Sequence, residues 1–233
     1  EEPPPLITLS DDTGQAVGGF LKVAAFGEVE ALAIKDDAVA FVYKTGIQTV
    51  VVRDRTEDIV LVNAPVVAEL RRRAQAVAEP PYFFEFEGLD FVEETRTWEL
   101  ICAVVLPNAR DTPASTKAVF RMEHAEDGKL LRISPAVRYP DGTIYKDYAA
   151  SLHVVDGLAL VGGFYRDGAV LIDWDGRVVK HIKAGARRVE GIWWDAPRKK
   201  LFMVRECVGD GYHCKEGVHF GVPLWVVDMP DGL

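Results

Sequence analysis

Amide side chains are almost missing from this chain: Asn63, Asn108, Gln15, Gln48 and Gln75 are the only five among 233 residues. Proteins of hot-living organisms avoid such thermolabile groups. The scarcity, set beside abundant Glu, Arg and Val, therefore points to a thermophile, or to a GC-rich genome that biases composition in the same direction. Serine is nearly as rare. Ser10, Ser115, Ser134 and Ser151 are the only four, and none lies in a Gly-x-Ser-x-Gly elbow. No Gly-rich phosphate loop precedes a helix, so the sequence gives poor support to the common hydroxyl-nucleophile and phosphate-cradling chemistries. No run of about 18 apolar residues occurs, which excludes insertion into a membrane as a helix. Positive charge is in deficit, with 27 Lys and Arg against 36 Asp and Glu, a net charge of −9 and a pI near 5.1. Phosphate binding needs a basic surface, so the charge argues against nucleic acid and anionic lipid as partners unless a local patch supplies one. The clusters Arg71-Arg72-Arg73 and Arg187-Arg188 read as solvated faces.

Cysteine is limited to three residues. Cys102 sits in the apolar run Leu100 to Val105, where a free thiol behaves as a small hydrophobe. Cys207 and Cys214 share a polar, Gly-containing loop, and a disulfide stapling that loop is expected. With His213 and His219 the same loop offers ligands for zinc, although its spacing matches no established zinc motif. Asp210 of this loop is a further ligand-binding candidate, and Asp210-Gly211 alone would be a turn. A disulfide implies export, or the interior of a hyperthermophile. The opening Glu1-Glu2-Pro3-Pro4-Pro5 lacks an initiator Met and a charged-then-apolar leader, as in a mature exported chain or a trimmed one. An extracellular or cell-surface location is the expectation, with the cytoplasm as the alternative if the source is a hyperthermophile.

What the chain does have is a phrase that recurs four times: Glu30-Ala31-Leu32-Ala33-Ile34, Glu87-Gly88-Leu89-Asp90-Phe91, Ala150-Ser151-Leu152-His153-Val154 and Glu190-Gly191-Ile192-Trp193-Trp194. Each copy leads into further runs rich in Val, Ile, Phe and Trp, bounded by Gly, Asp and Pro, which is the signature of strands and hairpins. Second strands are predicted at Val39 to Tyr43, Trp98 to Val105, Leu158 to Phe164 and Lys200 to Arg205. Third strands follow at Ile47 to Val52, Ser115 to Arg121, Ala169 to Trp174 and Leu224 to Val227. Fourth strands are predicted at Ile59 to Val62, Lys129 to Ile133 and Val178 to Ile182. Asp127-Gly128, Asp175-Gly176 and Asp231-Gly232 supply the positive φ of tight hairpins. A supersecondary unit of this size cannot bury its own apolar face, so the copies must stack on one another. One helix is predicted over Val66 to Val77, from apolar residues at Val66, Val67, Leu70, Ala74 and Val77.

The pattern resembles the β-propeller superfamily over nearly the whole chain. The stretch Glu190-Gly191-Ile192-Trp193-Trp194-Asp195, followed by Arg198-Lys199-Lys200-Leu201-Phe202, is similar to blades of the NHL-repeat and gluconolactonase-like propellers. The expectation is a single all-β domain over residues 1–233: a small propeller of four blades with one short inserted helix. A fifth blade is accommodated if Ala16 to Phe26 or Ala136 to Tyr148 forms another sheet. The outer strand missing from the last blade is expected from Leu6-Ile7-Thr8-Leu9, which would close the ring. If that strand pairs instead with a neighbouring molecule, the chain becomes a homo-oligomer by strand addition.

Propeller topology would place Glu30, Glu87 and Glu190 around one channel mouth, with Ala150 breaking the set. Three converging carboxylates can hold a divalent cation, calcium or zinc, or recognise a cationic or polyhydroxylated ligand. In gluconolactonase-like propellers a Glu of this phrase is a metal ligand, and the resemblance implies that role for Glu190. The alternative is that each carboxylate accepts neighbouring N–H groups or pairs with Arg187, Arg188 or Lys146. His153 is a further ligand-binding candidate, since it shares a strand face with Ser151, and its other reading is a satisfied core residue. Two functions follow. The first is a binding or assembly module presenting a loop-decorated face to a protein or small ligand. The second is a metal-assisted hydrolase of lactone or sugar type that uses Glu30, Glu87 and Glu190.

Overall fold

The computed structural model describes residues 6–7, 21–22, 29–36, 38–45, 49–54, 57–107, 115–185, 187–205, 224–229, 231 and 233. Two short strands, β1 (Leu6–Ile7) and β2 (Leu21–Lys22), pair antiparallel with each other. Four antiparallel sheets follow, each with its strands in chain order. The first is β3 (Val29–Lys35), β4 (Ala38–Thr45), β5 (Thr49–Asp54) and β6 (Glu57–Val62). A helix, α1 (Ala64–Ala74), leads into β7 (Phe83–Val92), β8 (Thr97–Val105), β9 (Thr116–Ala125) and β10 (Leu130–Ile133). The third sheet is β11 (Ala149–Val155), β12 (Leu158–Gly163), β13 (Ala169–Ile172) and β14 (Val178–Ile182). The fourth has three described strands, β15 (Val189–Asp195), β16 (Lys200–Arg205) and β17 (Leu224–Asp228).

Each recurring phrase therefore forms the first strand of a sheet, and each first hairpin turns through positive φ. Asp156 with Gly157 adopts 49° and 75°, as a two-residue hairpin requires, Asp36 opens the first turn at 48°, and Arg96 and Lys199, at 55° and 53°, each close a four-residue loop. The Asp-Gly turns expected in the second and third sheets also lie at positive φ, 89° at Gly128 and 72° at Gly176.

The first strands β3, β7, β11 and β15 lie side by side in that order, so the sheets are blades round one axis. Their packing produces three apolar clusters, one at each seam between consecutive blades. At the first seam Ala33, Val42 and Val52 meet Leu89, Phe91 and Leu100. At the second, Ile101 and Val119 meet Leu152, Val161 and Val170. At the third, Leu160 and Leu171 meet Trp194, Leu201 and Met203. At about 25 cal/mol per Å² of apolar area, these interlocked faces are the main source of stability.

Charge reinforces the seams. Lys35 bridges Asp54 and Glu126 over the rings of Phe91 and Trp98, joining blade one to blade two. Arg121 is fully buried and donates to Glu99 at 2.6 and 2.8 Å and to the carbonyls of Gly157 and Ile172 at 2.9 and 3.3 Å, joining blade two to blade three. Its guanidinium and that of Arg132 lie 3.9 and 3.6 Å from the Trp174 ring centre, a cation–π arrangement.

The helix begins two residues earlier than its apolar spacing predicts. The Asn63 side chain accepts the Val66 N–H at 3.2 Å, capping a first turn that contains Pro65. Val66, Val67, Leu70 and Ala74 then face the first seam, and Arg73 reaches the carbonyls of Ile133 and Ser134 at 2.9 and 3.2 Å. One expectation meets a different arrangement. The segment 136–148 forms no fifth blade: Arg138 makes single bridges to Ile144 and Arg177, while Val137 and Tyr145 are absorbed into the second seam. Thr8 and Leu9 of the expected ring-closing strand lie outside the described residues, as does all of 16–26 except Leu21 and Lys22. Leu6–Ile7 pairs with β2, and among the described residues β17 has no further strand beside it.

Candidate functional site

The site is built by an irregularity that repeats in all four blades. Pairing of the first with the second strand slips by one residue between Val29 and Ala31, Phe86 and Gly88, Ala149 and Ser151, and Val189 and Gly191. The extra residues are Glu30, Glu87, Ala150 and Glu190, the opening residues of the phrase. A bulge bends the strand and re-aims the extra side chain, which is why bulges recur beside binding and active sites. The sequence carried the sign of it. Phe86 and Leu89 share one face although three positions apart, as do Ala149 and Leu152, where unbroken alternation would separate them by two.

Glu87 and Glu190 line one cavity of about 410 Å³ on the axis, with Ser151, Gly88 and Gly191. The Tyr148 hydroxyl donates to the Glu87 carboxylate. This phenol, two residues ahead of Ala150, went unnoticed in the sequence because nothing local links blade three to a carboxylate of blade two. The backbone of Glu30 lies in β3, and its side chain is outside the described residues. Among the described residues no three acidic, His or Cys side chains converge on a point that would hold a metal. Two carboxylates, one already hydrogen-bonded to a phenol, fall short of the six to eight oxygens typical of calcium and of the four ligands typical of zinc. Ser151 donates to the Val189 carbonyl at 3.1 Å, which commits its hydroxyl to the third seam and leaves no Ser–His pair with His153. Cys207, Cys214 and Asp210 lie outside the described residues, and Cys102 is a buried free thiol whose pKa burial pushes well up.

A second and larger cavity of about 690 Å³ opens toward the other ends of the inner strands. Leu32, Ile34 and Trp193 supply apolar walls, and Asp90, Glu93 and Glu94 supply negative charge. His153 is here, 3.0 Å from Asp90 through Nδ1, and the same Asp90 oxygen accepts the Val154 N–H at 2.7 Å. That carboxylate ties β7 to β11. Trp193 stands edge-on to His153, with ring centres 6.3 Å apart. The structure thus brings Glu87 and Glu190 to one end of the axis and His153 to the other. Leu32, Ile34 and Trp193 are missing from the sequence-based candidates because a lone apolar residue in a strand reads as core.

A deeper carboxylate, Asp147, is buried and accepts N–H groups from Tyr165 at 2.8 Å and Arg166 at 3.2 Å. Burial pushes its pKa up in spite of those bonds, and its geometry is that of a clamp on the β12–β13 connection.

The order of the strands, the four inner strands on one axis and the interlocked seams define a β-propeller. No family model matches the chain, and no curated protein matches it. A solved structure described as the Dos1 propeller is similar to 86% of this chain at 9% identity, with a TM-score of 0.42. The matched part is 48% of that structure's chain, so this chain spans about half its length. The finer likeness to NHL-repeat and gluconolactonase-like blades rests on the recurring phrase alone.

Proposed function

We propose that this propeller is a binding and assembly module that engages a protein partner through the apolar faces beside its axis. One observation carries the reading: Leu32, Ile34 and Trp193 are 47, 57 and 56% exposed, although equivalent positions in the interior blades are packed. Val226 extends the blade-four face outward, also exposed, and Val60 is exposed at the outer strand of blade one, beyond the buried Phe41, Tyr43 and Val51. Large exposed apolar surfaces on a folded domain mark interaction sites. The test is a photo-crosslinking residue introduced at Val60 or at Val226, irradiated in cells of the source. A discrete crosslinked product, whether to a second copy or to another protein, supports the reading; irradiation that leaves the chain uncoupled at both positions overturns it.

The hydrolase alternative is favoured by the repeated bulge, which sets three glutamates at equivalent places. It requires Glu30 to complete what Glu87 and Glu190 begin, with calcium or zinc as the cation. Titration with either ion should then raise the melting temperature, by an increment that Glu87→Gln or Glu190→Gln removes. A flat response rejects the alternative.

A further inference from the structure

The cavity of about 690 Å³ at the His153 end of the axis has the size of a site for a small organic molecule, about 300–1,000 Å³. Its walls come from all four inner strands and from the β7–β8 turn, so hydrogen-bonded sheet holds them in place. Leu32 and Ile34 line it from blade one, and Ile192 and Trp193 from blade four. Leu32, Ile34 and Trp193 stay about half exposed because they border this space.

The charged side chains of this cavity are of one sign. Asp90, Glu93 and Glu94 line it, and among the described residues no Lys or Arg does. Two of these carboxylates are committed. Asp90 accepts from His153 and from the Val154 N–H, while Glu93 accepts the Asp36 N–H at 2.7 Å and pairs with Arg96 at 2.9 Å. Glu94 makes no hydrogen bond or ion pair among the described residues, and neither does Nε2 of His153. A carboxylate only accepts, so the neutral imidazole carries its proton on Nδ1 toward Asp90 and keeps the lone pair on Nε2. The next ring along the wall is Trp193, edge-on to His153, and an exposed indole face attracts a cation.

We propose that this cavity binds a small organic cation, a protonated amine carried on an apolar or aromatic body. The ammonium donates to Nε2 of His153 and pairs with Glu94 beside the face of Trp193, while the body lies against Leu32, Ile34 and Ile192. An anion would meet three carboxylates and no cation, and a neutral molecule would leave Glu94 without a counter-charge. A bare metal ion would find walls that are mostly hydrocarbon and too few oxygens to replace its water. The inference goes beyond the partner-binding reading and is tested apart from it, because Val60 and Val226 do not line the cavity.

Phenylpropylamine, titrated into the full chain by calorimetry at low salt, should bind saturably with a dissociation constant of about 1 mM or tighter. Phenylpropanol, the same body without the charge, should bind at least about tenfold more weakly. Glu94→Gln and Trp193→Leu alter exposed side chains, so each should keep the parent's melting temperature while weakening amine binding about threefold or more. Leu32→Trp fills the cavity from one wall and should abolish binding with the far-UV circular dichroism of the parent retained. Absence of saturable binding up to about 10 mM overturns the proposal, as do equal affinities for amine and alcohol, or amine binding indifferent to all three substitutions. A lysine-centred pentapeptide that binds more tightly than the amine also overturns it, by assigning the cation to a partner's side chain. Any of these failures alongside a crosslink at Val60 or Val226 rejects the ligand and keeps the binding-module reading; saturable amine binding without a crosslink does the reverse.

Discussion

Replacing Arg121 by Met removes a guanidinium that is wholly buried and leaves Glu99, itself 3% exposed, without its partner. Breaking one side of a buried ion pair costs about 3–5 kcal/mol, because the surviving charge stays desolvated. Arg121 also satisfies the carbonyls of Gly157 and Ile172, so the upper part of that range, about 4–5 kcal/mol, is expected for this substitution. For a chain of 233 residues, at about 2–4 °C per kcal/mol, the melting temperature should fall by roughly 8–20 °C. The variant should also acquire a pH signature. Burial already pushes the Glu99 carboxyl up against the pull of Arg121, and without Arg121 it rises further. A carboxyl whose folded pKa exceeds its unfolded value binds its proton more tightly when folded, so stability falls as pH rises through the window between the two. Urea denaturation of Arg121→Met at a series of pH values from 7 down to 5 should therefore show stability recovering on acidification. The double substitution Glu99→Leu with Arg121→Met should regain most of the loss, since a well-packed apolar pair often equals a buried ionic one. A single-substitution cost under about 1 kcal/mol, or a double variant no better than the single, would refute the role assigned to this pair.

Burial pushes His124 down to about 4, so the folded protein holds it neutral while the unfolded chain protonates near 6.5. Stability is then complete above the unfolded value and lost as pH falls from 6.5 to 4, by about 3 kcal/mol in all; chemical denaturation should show this slope in the parent and a clearly reduced one in His124→Leu. Gly88→Ala should cost about 1–3 kcal/mol, since its Cβ would press on the backbone and Cβ of β11, whereas Gly191→Ala should stay within about 1 kcal/mol of the parent; equal costs would contradict the seam geometry. Asn63→Ala removes the helix cap and should lower stability by about 1 kcal/mol in thermal melts.

The repeat was legible because each element of it is local. Phrase, second strand, Asp-Gly turn and third strand follow one another within a few dozen residues, and the observed strands begin and end within a few residues of their expected places. The helix was legible for the same reason, although its start was set by Asn63 and Pro65 rather than by apolar spacing. The three glutamates were legible as a recurring residue, but their presentation depends on a bulge that shows only as a spacing of three between same-face residues such as Phe86 and Leu89. The link from Tyr148 to Glu87 and that from Asp90 to His153 both cross between blades more than 60 positions apart, and no local pattern encodes them.

The recurring phrase, the runs rich in Val, Ile, Phe and Trp and the Asp-Gly turns told, from the chain alone, that this protein is a stack of small antiparallel sheets, since each of those signals is local. Which of those sides would be covered was a tertiary matter. Leu32 and Leu89 occupy the same place in the same phrase, yet one is half exposed and the other buried, because Leu89 has the face of blade one packed opposite it and Leu32 borders the axial cavity.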